Sequence, residues 1–259
     1  MATCYRHPNR ETGVSCSNCG KPICPDCMTP TPVGMRCPDC SKQRTETRSL
    51  SSLAVDPIAT YVLIAINVAV FIGVRSSPRA YVDLVLFGPA VGNGDWYRLI
   101  TAGFLHTEFW HIGMNMLALF WLGRMIEPAL GHARFVGVYM ASLLTGSLAV
   151  MLFSPDAATL GASGAIYGLL GAAVVMARNR QVDLMQSGLI PILVLNVVLT
   201  LVWSDISVAG HFGGLIGGFV VTYVVEELAR RRRNSVVPAV AFCAVIGVAA
   251  IIGSVVAVS

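Results

Sequence analysis

Long apolar runs, separated by short polar segments, dominate the chain after residue 57. Seven runs approach or reach the roughly 18–20 residues that a helix needs to cross the hydrocarbon core of a bilayer. They cover residues 58–74, 109–123, 135–153, 158–177, 184–203, 208–225 and 236–258. Residues 75–100, between the first two runs, are of mixed character and predict a partly helical interfacial loop. The pattern predicts an all-α, multi-pass integral membrane protein.

Composition supports this prediction. Hydrophobic residues make up 55% of the 259 positions and charged residues only 12%, whereas a soluble domain is about 25% charged. The net charge of +4 is small, and the chain lacks the basic domain that nucleic-acid binding requires. We therefore expect lipid and other membrane proteins as partners, and no nucleic acid.

Basic residues concentrate in alternate connecting segments. They are Lys42, Arg44, Arg48, Arg124, Arg134, Arg178, Arg180 and the run at 230–233. The opposite segments hold Arg75, Arg79 and Arg98 before the second run, and no Lys or Arg after it. Because basic segments stay on the cytoplasmic side, we expect a cytoplasmic amino terminus and an external carboxyl terminus, in a bacterial plasma membrane.

Residues 1–40 form a separate module that is rich in cysteine, followed by a polar linker at 41–56. The module holds four two-ligand motifs, Cys4-x2-His7, Cys16-x2-Cys19, Cys24-x2-Cys27 and Cys37-x2-Cys40. Eight ligands suffice for two tetrahedral zinc sites with no open coordination position. A module of this size needs metal to stabilise its fold, and a reducing cytoplasm disfavours disulfides. We predict two structural Zn²⁺ ions and a docking site for a cytoplasmic protein partner.

The order of these ligands resembles that of B-box zinc fingers, in which the motifs interleave. The resemblance implies one site made of Cys4, His7, Cys24 and Cys27, and a second made of Cys16, Cys19, Cys37 and Cys40. Sequential pairing of adjacent motifs is the alternative.

Two polar residues within the apolar runs are candidates for catalysis. Ser163 lies in the GASG sequence at 161–164 and His211 in the GHFGG sequence at 210–214. Polar groups at membrane depth are costly and often functional, although a single Ser among small residues also serves helix packing. In the predicted topology Ser163 lies about five residues into its span and His211 three or four, roughly 5–10 Å below the outer surface. This shared depth favours a nucleophile and its base.

Three further residues fit the same chemistry. His111 and Asn115 are four positions apart and share a helix face, so both can donate hydrogen bonds to an oxyanion together with the Ser163 N–H. Tyr167 follows Ser163 by one helical turn, and its ring can stack on the His211 imidazole and orient it. Low dielectric favours the neutral imidazole that a general base requires.

From about residue 54 to 230 the chain resembles the rhomboid intramembrane serine proteases. The similarity rests on GASGAIY at 161–167, HIGMN at 111–115, HFGG at 211–214 with Gly218, Gly123-x3-Glu127-x3-Gly131 and WYR at 96–98. It implies a six-helix core over 57–230 with one additional transmembrane helix over 231–259. Gly210, where Ala is common, and Tyr97, between Trp96 and Arg98, depart from the family pattern.

The resemblance also assigns roles to the candidate residues. It implies that Ser163 is the nucleophile, His211 the general base, and Tyr167 the residue that positions His211. His111 and Asn115 join the Ser163 amide in the oxyanion hole, and no cofactor takes part in catalysis. His106 matches a family histidine, and we expect its role to be structural.

The implied function is cleavage of transmembrane segments of other membrane proteins near the outer face, through an acyl-enzyme. The substrate helix would enter beside the fifth span. The alternative is a catalytically silent binder of membrane proteins that docks through its zinc module, which the presence of Ser163 and His211 disfavours. A proton-relaying transporter would carry acidic residues within its spans, where we expect only Glu108 at an edge. A soluble hydrolase is excluded because Ala165 replaces the second glycine of a nucleophile elbow.

Overall fold

A computed structural model describes residues 2–42, 56–186, 188–202, 206–231 and 235–259. Parts of three sequence predictions lie outside the described residues. They are most of the polar linker with Arg44 and Arg48, Ser187 and Trp203 of the fifth predicted span, and the basic residues Arg232 and Arg233.

Contacts divide the chain into two units, Met1–Ala54 and Val55–Ser259. Over residues 2–42, the first unit consists of two short antiparallel hairpins, a 3-10 turn at Pro25–Cys27 and one helical turn. The hairpins are β1 (Ala2–Thr3) with β2 (Glu11–Thr12) and β3 (Thr29–Thr31) with β4 (Gly34–Arg36), and the helix is α1 (Pro38–Ser41). Its buried centre is made almost entirely of cysteine side chains, together with Ile23.

The second unit is helical, as the sequence predicts. Its long helices are α2 (Ile58–Arg75), α6 (Phe109–Leu130), α7 (His132–Phe153), α8 (Ser163–Asn179), α9 (Leu189–Val202), α10 (Val208–Arg231) and α11 (Val237–Val258). Short helices α3 (Pro78–Leu84), α4 (Gly88–Gly92) and α5 (Arg98–Thr101) occupy the loop between α2 and α6. Within the described residues, α2, α7, α10 and α11 are long and apolar enough to cross a membrane, and α9 is a shorter apolar helix.

Helix α7 is the central helix of this unit, because it packs against α8, α10 and α11. The aromatic side chains Phe135 and Tyr139 on α7 are fully buried, as are Leu119 of α6 and Leu169 of α8. Apolar burial of this kind fixes where the helices that carry the candidate site residues lie.

Several helix boundaries differ from the predicted spans. Helix α8 begins at Ser163 instead of residue 158, because Gly161 adopts φ +114°, which ends the preceding segment in a conformation that favours glycine. Helix α9 begins at Leu189 instead of 184, directly after Gly188 at φ +77°. Helix α6 continues past residue 123 until Gly131, whose φ of +79° lies in a region that glycine adopts without steric cost.

The longer α6 includes Glu127, which lies beyond the end of the predicted span and is fully buried. At Gly123, one turn earlier, a Cβ would lie 2.3 Å from the Thr60 hydroxyl. The motif of Gly123 and Glu127 therefore allows α2 and α6 to approach closely at one end.

The loop between α2 and α6 is a folded element that supports the segment before α8. The buried Arg98 side chain donates hydrogen bonds to the carbonyl oxygens of Val82, at 2.6 Å, and Val85, at 3.0 Å. Leu86 and Thr159 exchange two backbone hydrogen bonds, of 3.1 and 2.9 Å. The segment that leads into Ser163 is thereby attached to this loop.

Candidate active site

Ser163 is the first residue of α8. The apolar pattern placed Ser163 about five residues into its span, and this prediction was wrong because the turn at Gly161 delays the start of the helix. The first N–H groups of a helix have no acceptor within the helix, and the N-cap residue Ala162 offers no side-chain hydrogen bond. The Ser163 side chain is therefore attached to a helix end with positive partial charge, which favours a developing anion.

The backbones of α8 and α10 approach at their glycines. A Cβ on Gly214 would lie 2.0 Å from the carbonyl oxygen of Gly164, and one on Gly218 would lie 2.2 Å from that of Gly168. Both pairs advance by four residues in the same direction, so the two helices run parallel. Ser163 directly precedes the first of these glycines on α8, and His211 precedes Gly214 by three residues on α10.

His211 is the fourth residue of α10 and is 7% exposed. The ring of Tyr167, one turn into α8, stacks on its imidazole with centroids 4.0 Å apart and planes inclined by 23°. Stacking restricts rotation of the imidazole and covers one of its faces. The position of Tyr167 one helical turn after Ser163 predicted this contact with His211.

His111 and Asn115 face the segment that leads into Ser163. A Cβ on Gly161 would lie 2.8 Å from His111 Nε2 and 3.8 Å from Asn115 Nδ2. Two side chains with hydrogen-bond donors therefore border the chain two residues before Ser163.

His106 has a partner that the sequence did not reveal. Its Nε2 lies 3.2 Å from Asn115 Nδ2, and its ring centroid lies 4.9 Å from that of His111. His106 is fully buried. Because it precedes α6, helical spacing could not predict that it would contact residues on that helix.

Thr200 of α9 was also missed. Its Oγ1 lies 2.8 Å from His211 Nδ1, and its hydroxyl also forms a hydrogen bond with the Tyr167 hydroxyl. A threonine within an apolar helix commonly bonds to its own backbone, so the sequence carries no signal that distinguishes this one. These contacts link α9 to the candidate base.

The potential metal ligands of the first unit fall into two groups. In each group the ligand atoms all lie within 4.8 Å of one another, and the groups are Cys4, His7, Cys24 and Cys27, and Cys16, Cys19, Cys37 and Cys40. His7 Nδ1 is 3.3 Å from Cys24 Sγ and 3.4 Å from Cys27 Sγ, and Cys19 Sγ is 3.8 Å from Cys37 Sγ. Ligands around a tetrahedral Zn²⁺ with Zn–S bonds of 2.3 Å lie about 3.5–3.8 Å apart. The two groups therefore fit tetrahedral zinc, and their composition is the interleaved one.

Backbone N–H groups favour the thiolate form of some of these cysteines. The Cys37 N–H donates to Cys16 Sγ at 3.3 Å, and this bond is the main reason why the pKa of Cys16 falls to about 6. Burial, followed by the neighbouring Cys4 and Cys24 thiols, instead raises the pKa of Cys27 to about 11. A bound cation would counteract this rise in the pKa of Cys27, because a thiol that coordinates a metal ion is deprotonated.

Comparison with known proteins identifies the helical unit. Residues 93–227 match the family model described as "Rhomboid domain". "Rhomboid protease GluP" of Bacillus subtilis is 38% identical over 172 residues, which are 63% of this chain and 34% of that protein. "Putative rhomboid protease YdcA" of the same organism is 36% identical over 146 residues, 55% of this chain and 73% of that protein. Saccharomyces cerevisiae "Rhomboid protein 1, mitochondrial" is 31% identical, over 67% of this chain and 55% of that protein. The chain thus spans about a third, three quarters and half of these relatives.

Proposed function

Because the chain belongs to the rhomboid family, we propose that it is an intramembrane serine endopeptidase that cleaves transmembrane segments of other membrane proteins. The observation that carries this proposal is the stack of Tyr167 on His211, next to the close contact of α8 and α10. The stack holds an imidazole beside the helix end that begins with Ser163, and a nucleophile with an oriented base is what acyl transfer requires.

The chemistry follows from the roles of these residues. Ser163 Oγ attacks the carbonyl carbon of the scissile bond while His211 accepts the hydroxyl proton. The oxyanion accepts hydrogen bonds from the Ser163 N–H and from His111 and Asn115. When the C–N bond breaks, His211 returns the proton to the leaving amine, and an ester to Ser163 remains. Water then attacks this ester with His211 as base, which releases the acid and regenerates Ser163.

The arrangement of α8 and α10 supports a site near the outer face of the membrane. The two helices run parallel, and Ser163 and His211 both lie in their first turns. Their last turns carry basic residues, Arg178 on α8 and Arg230 and Arg231 on α10. Because basic ends remain in the cytoplasm, the site lies towards the opposite side. The same rule gives a cytoplasmic amino terminus, and we propose a bacterial plasma membrane as the location.

Substrate access is proposed beside α9. Of this helix only Thr200 is buried, and the apolar side chains of Leu195, Leu201 and Val202 are more than half exposed. An exposed apolar helix next to the base offers a route from the lipid phase. A substrate segment must unwind there, because a helical amide is shielded and its carbonyl is engaged.

The test compares wild type, Ser163→Ala and Ser254→Ala in detergent with a generic single-span substrate. Ser254 is a buried serine on α11 whose hydroxyl donates to the Ala250 carbonyl at 2.7 Å, so it controls for loss of a buried hydroxyl. We expect cleavage by wild type and Ser254→Ala and none by Ser163→Ala. Equal cleavage by wild type and Ser163→Ala would overturn the assignment, and no cleavage by any of the three would favour a silent binder.

For the amino-terminal unit we propose two structural Zn²⁺ ions, one in each four-ligand group. The short ligand separations and the absence of a fifth ligand from either described group support this role. The ions would supply folding energy to a unit with little apolar core. We propose that the folded unit binds a cytoplasmic protein partner.

A further inference from the structure

Helix α9 reaches the interior of the helical unit at one point. Along this fully described helix Thr200 is the buried residue, with 1% of its surface exposed. Four positions earlier, the Asn196 carbonyl oxygen accepts a hydrogen bond from the Thr200 hydroxyl at 2.9 Å. A buried polar side chain on a helix whose other residues are exposed or half-buried requires an explanation beyond local packing.

The hydrogen-bond partners of Thr200 determine which way each proton points. A hydroxyl has one proton and two lone pairs. The Asn196 carbonyl oxygen has two lone pairs and accepts from both the Thr200 hydroxyl, at 2.9 Å, and the Tyr167 hydroxyl, at 2.6 Å. With its proton directed to this carbonyl, the Thr200 hydroxyl presents a lone pair to His211 Nδ1 at 2.8 Å. In this arrangement His211 Nδ1 carries the proton and donates it to Thr200 Oγ1.

The location of the proton on Nδ1 of His211 matters for its role as a general base. Neutral imidazole carries one N–H and one free lone pair, so a proton held at Nδ1 leaves Nε2 free to accept another. The opposite tautomer would present a protonated Nε2, which cannot act as a base. A group that holds Nδ1–H therefore keeps the imidazole ready for catalysis, as the third member of a catalytic triad does.

We propose that Thr200 is a positioning residue that holds His211 in the Nδ1–H tautomer with Nε2 free. This inference rests on the proposed function, because it deepens the role of the same base. Thr200 carries no charge, so its contribution is the direction of the hydrogen bond. Tyr167 restricts the plane of the ring, and Thr200 fixes which nitrogen is protonated.

The matched variants are Thr200→Val, which keeps the shape and removes the hydroxyl, and Thr200→Ser, which keeps the hydroxyl. The control is Thr222→Val on α10, since Thr222 is fully buried and its hydroxyl has no hydrogen-bond partner among the described residues. We expect Thr200→Val to lower kcat about 10- to 100-fold, as loss of base orientation does. KM should stay within about twofold, Thr200→Ser should recover most of kcat, and Thr222→Val should behave like wild type.

Two further readouts separate positioning from a structural role. The acid limb of the kcat–pH profile should move to lower pH in Thr200→Val, because the imidazolium loses an acceptor for its Nδ1–H. Nitrogen-15 NMR of His211 should detect the proton on Nδ1 in wild type and a mixture of tautomers in Thr200→Val. The NMR measurement does not depend on proteolysis, so it tests Thr200 even if the Ser163→Ala comparison defeats the protease assignment.

Several results would overturn the proposal. A wild-type His211 protonated on Nε2 would do so directly, even if Thr200→Val failed to fold. An equal loss of kcat in Thr200→Ser and Thr200→Val would show that the hydroxyl is not the cause. A Thr200→Val protein with wild-type kcat and an unchanged pH profile would show that the hydrogen bond has no role.

Discussion

Thr60 donates two hydrogen bonds to Glu127, one from its backbone N–H at 2.7 Å and one from its hydroxyl at 2.6 Å. The Ala59 N–H donates to the other carboxylate oxygen at 2.8 Å, and His132 Nδ1 lies 2.5 Å from that oxygen. The first N–H groups of α2 thus find their acceptor on α6 and not in their own sequence. A carboxylate there also complements the positive end of the helix.

We therefore expect Glu127→Gln to lower the free energy of unfolding by about 2 kcal/mol, the typical contribution of hydrogen bonds to a buried charged group. Thermal unfolding in detergent measures the change. Asp156→Asn provides the control, because Asp156 is exposed and its substitution should change the free energy of unfolding little. Equal melting temperatures of the two variants would contradict the role of Glu127 as the acceptor for the first N–H groups of α2.

The close contact of α8 and α10 leads to a second prediction. A Cβ at residue 214 would lie 2.0 Å from the Gly164 oxygen, so Gly214→Ala must push the two helices apart at the site. We expect a stability loss of about 1–3 kcal/mol and a fall in kcat of about 100-fold from the displaced base.

Gly73→Ala is the matched control for this change. Gly73 also lies within a helix, but a Cβ there meets nothing within 4 Å, so both stability and activity should be retained. Wild-type kcat in Gly214→Ala would show that the spacing of α8 and α10 does not set the geometry of the base.

The third prediction concerns the donors near Gly161. Asn115→Ala should lower kcat about 10²- to 10³-fold with little change in KM, as loss of one oxyanion donor does. His106→Ala should lower kcat less, because it removes only the partner that holds the Asn115 amide. Met114→Ala serves as control on the same helix, since Met114 is 63% exposed. A larger effect of His106→Ala than of Asn115→Ala would assign the donor role to His106 instead.

The hydropathy pattern along the chain predicts the helices of the second unit but not the contacts between them. Each long helix that the described residues of the second unit form overlaps a predicted apolar run, because a helix that faces lipid or an apolar core needs continuous apolar sequence. The position of Ser163 at the start of α8 depends on the backbone at Gly161, and hydropathy carries no information about φ. Polar contacts between helices, such as Thr200 with His211 and Glu127 with Thr60, depend on packing that spacing within one helix cannot give.

The last prediction concerns the first unit and distinguishes the two ways of pairing its ligands. If the interleaved groups are the zinc sites, the double variant Cys4→Ala/Cys24→Ala removes two ligands from one site and none from the other. The double variant Cys4→Ala/Cys16→Ala instead removes one ligand from each site. Under sequential pairing these two results exchange, so each variant is the control for the other.

Elemental analysis after exposure to a chelator provides the measurement on the full chain. We expect about two zinc per wild-type chain, about one in Cys4→Ala/Cys24→Ala, and almost none in Cys4→Ala/Cys16→Ala, because three-ligand sites hold zinc weakly. The reverse order of the two variants would establish sequential pairing and contradict the grouping around His7 and Cys37. A wild-type chain without zinc would refute the metal assignment.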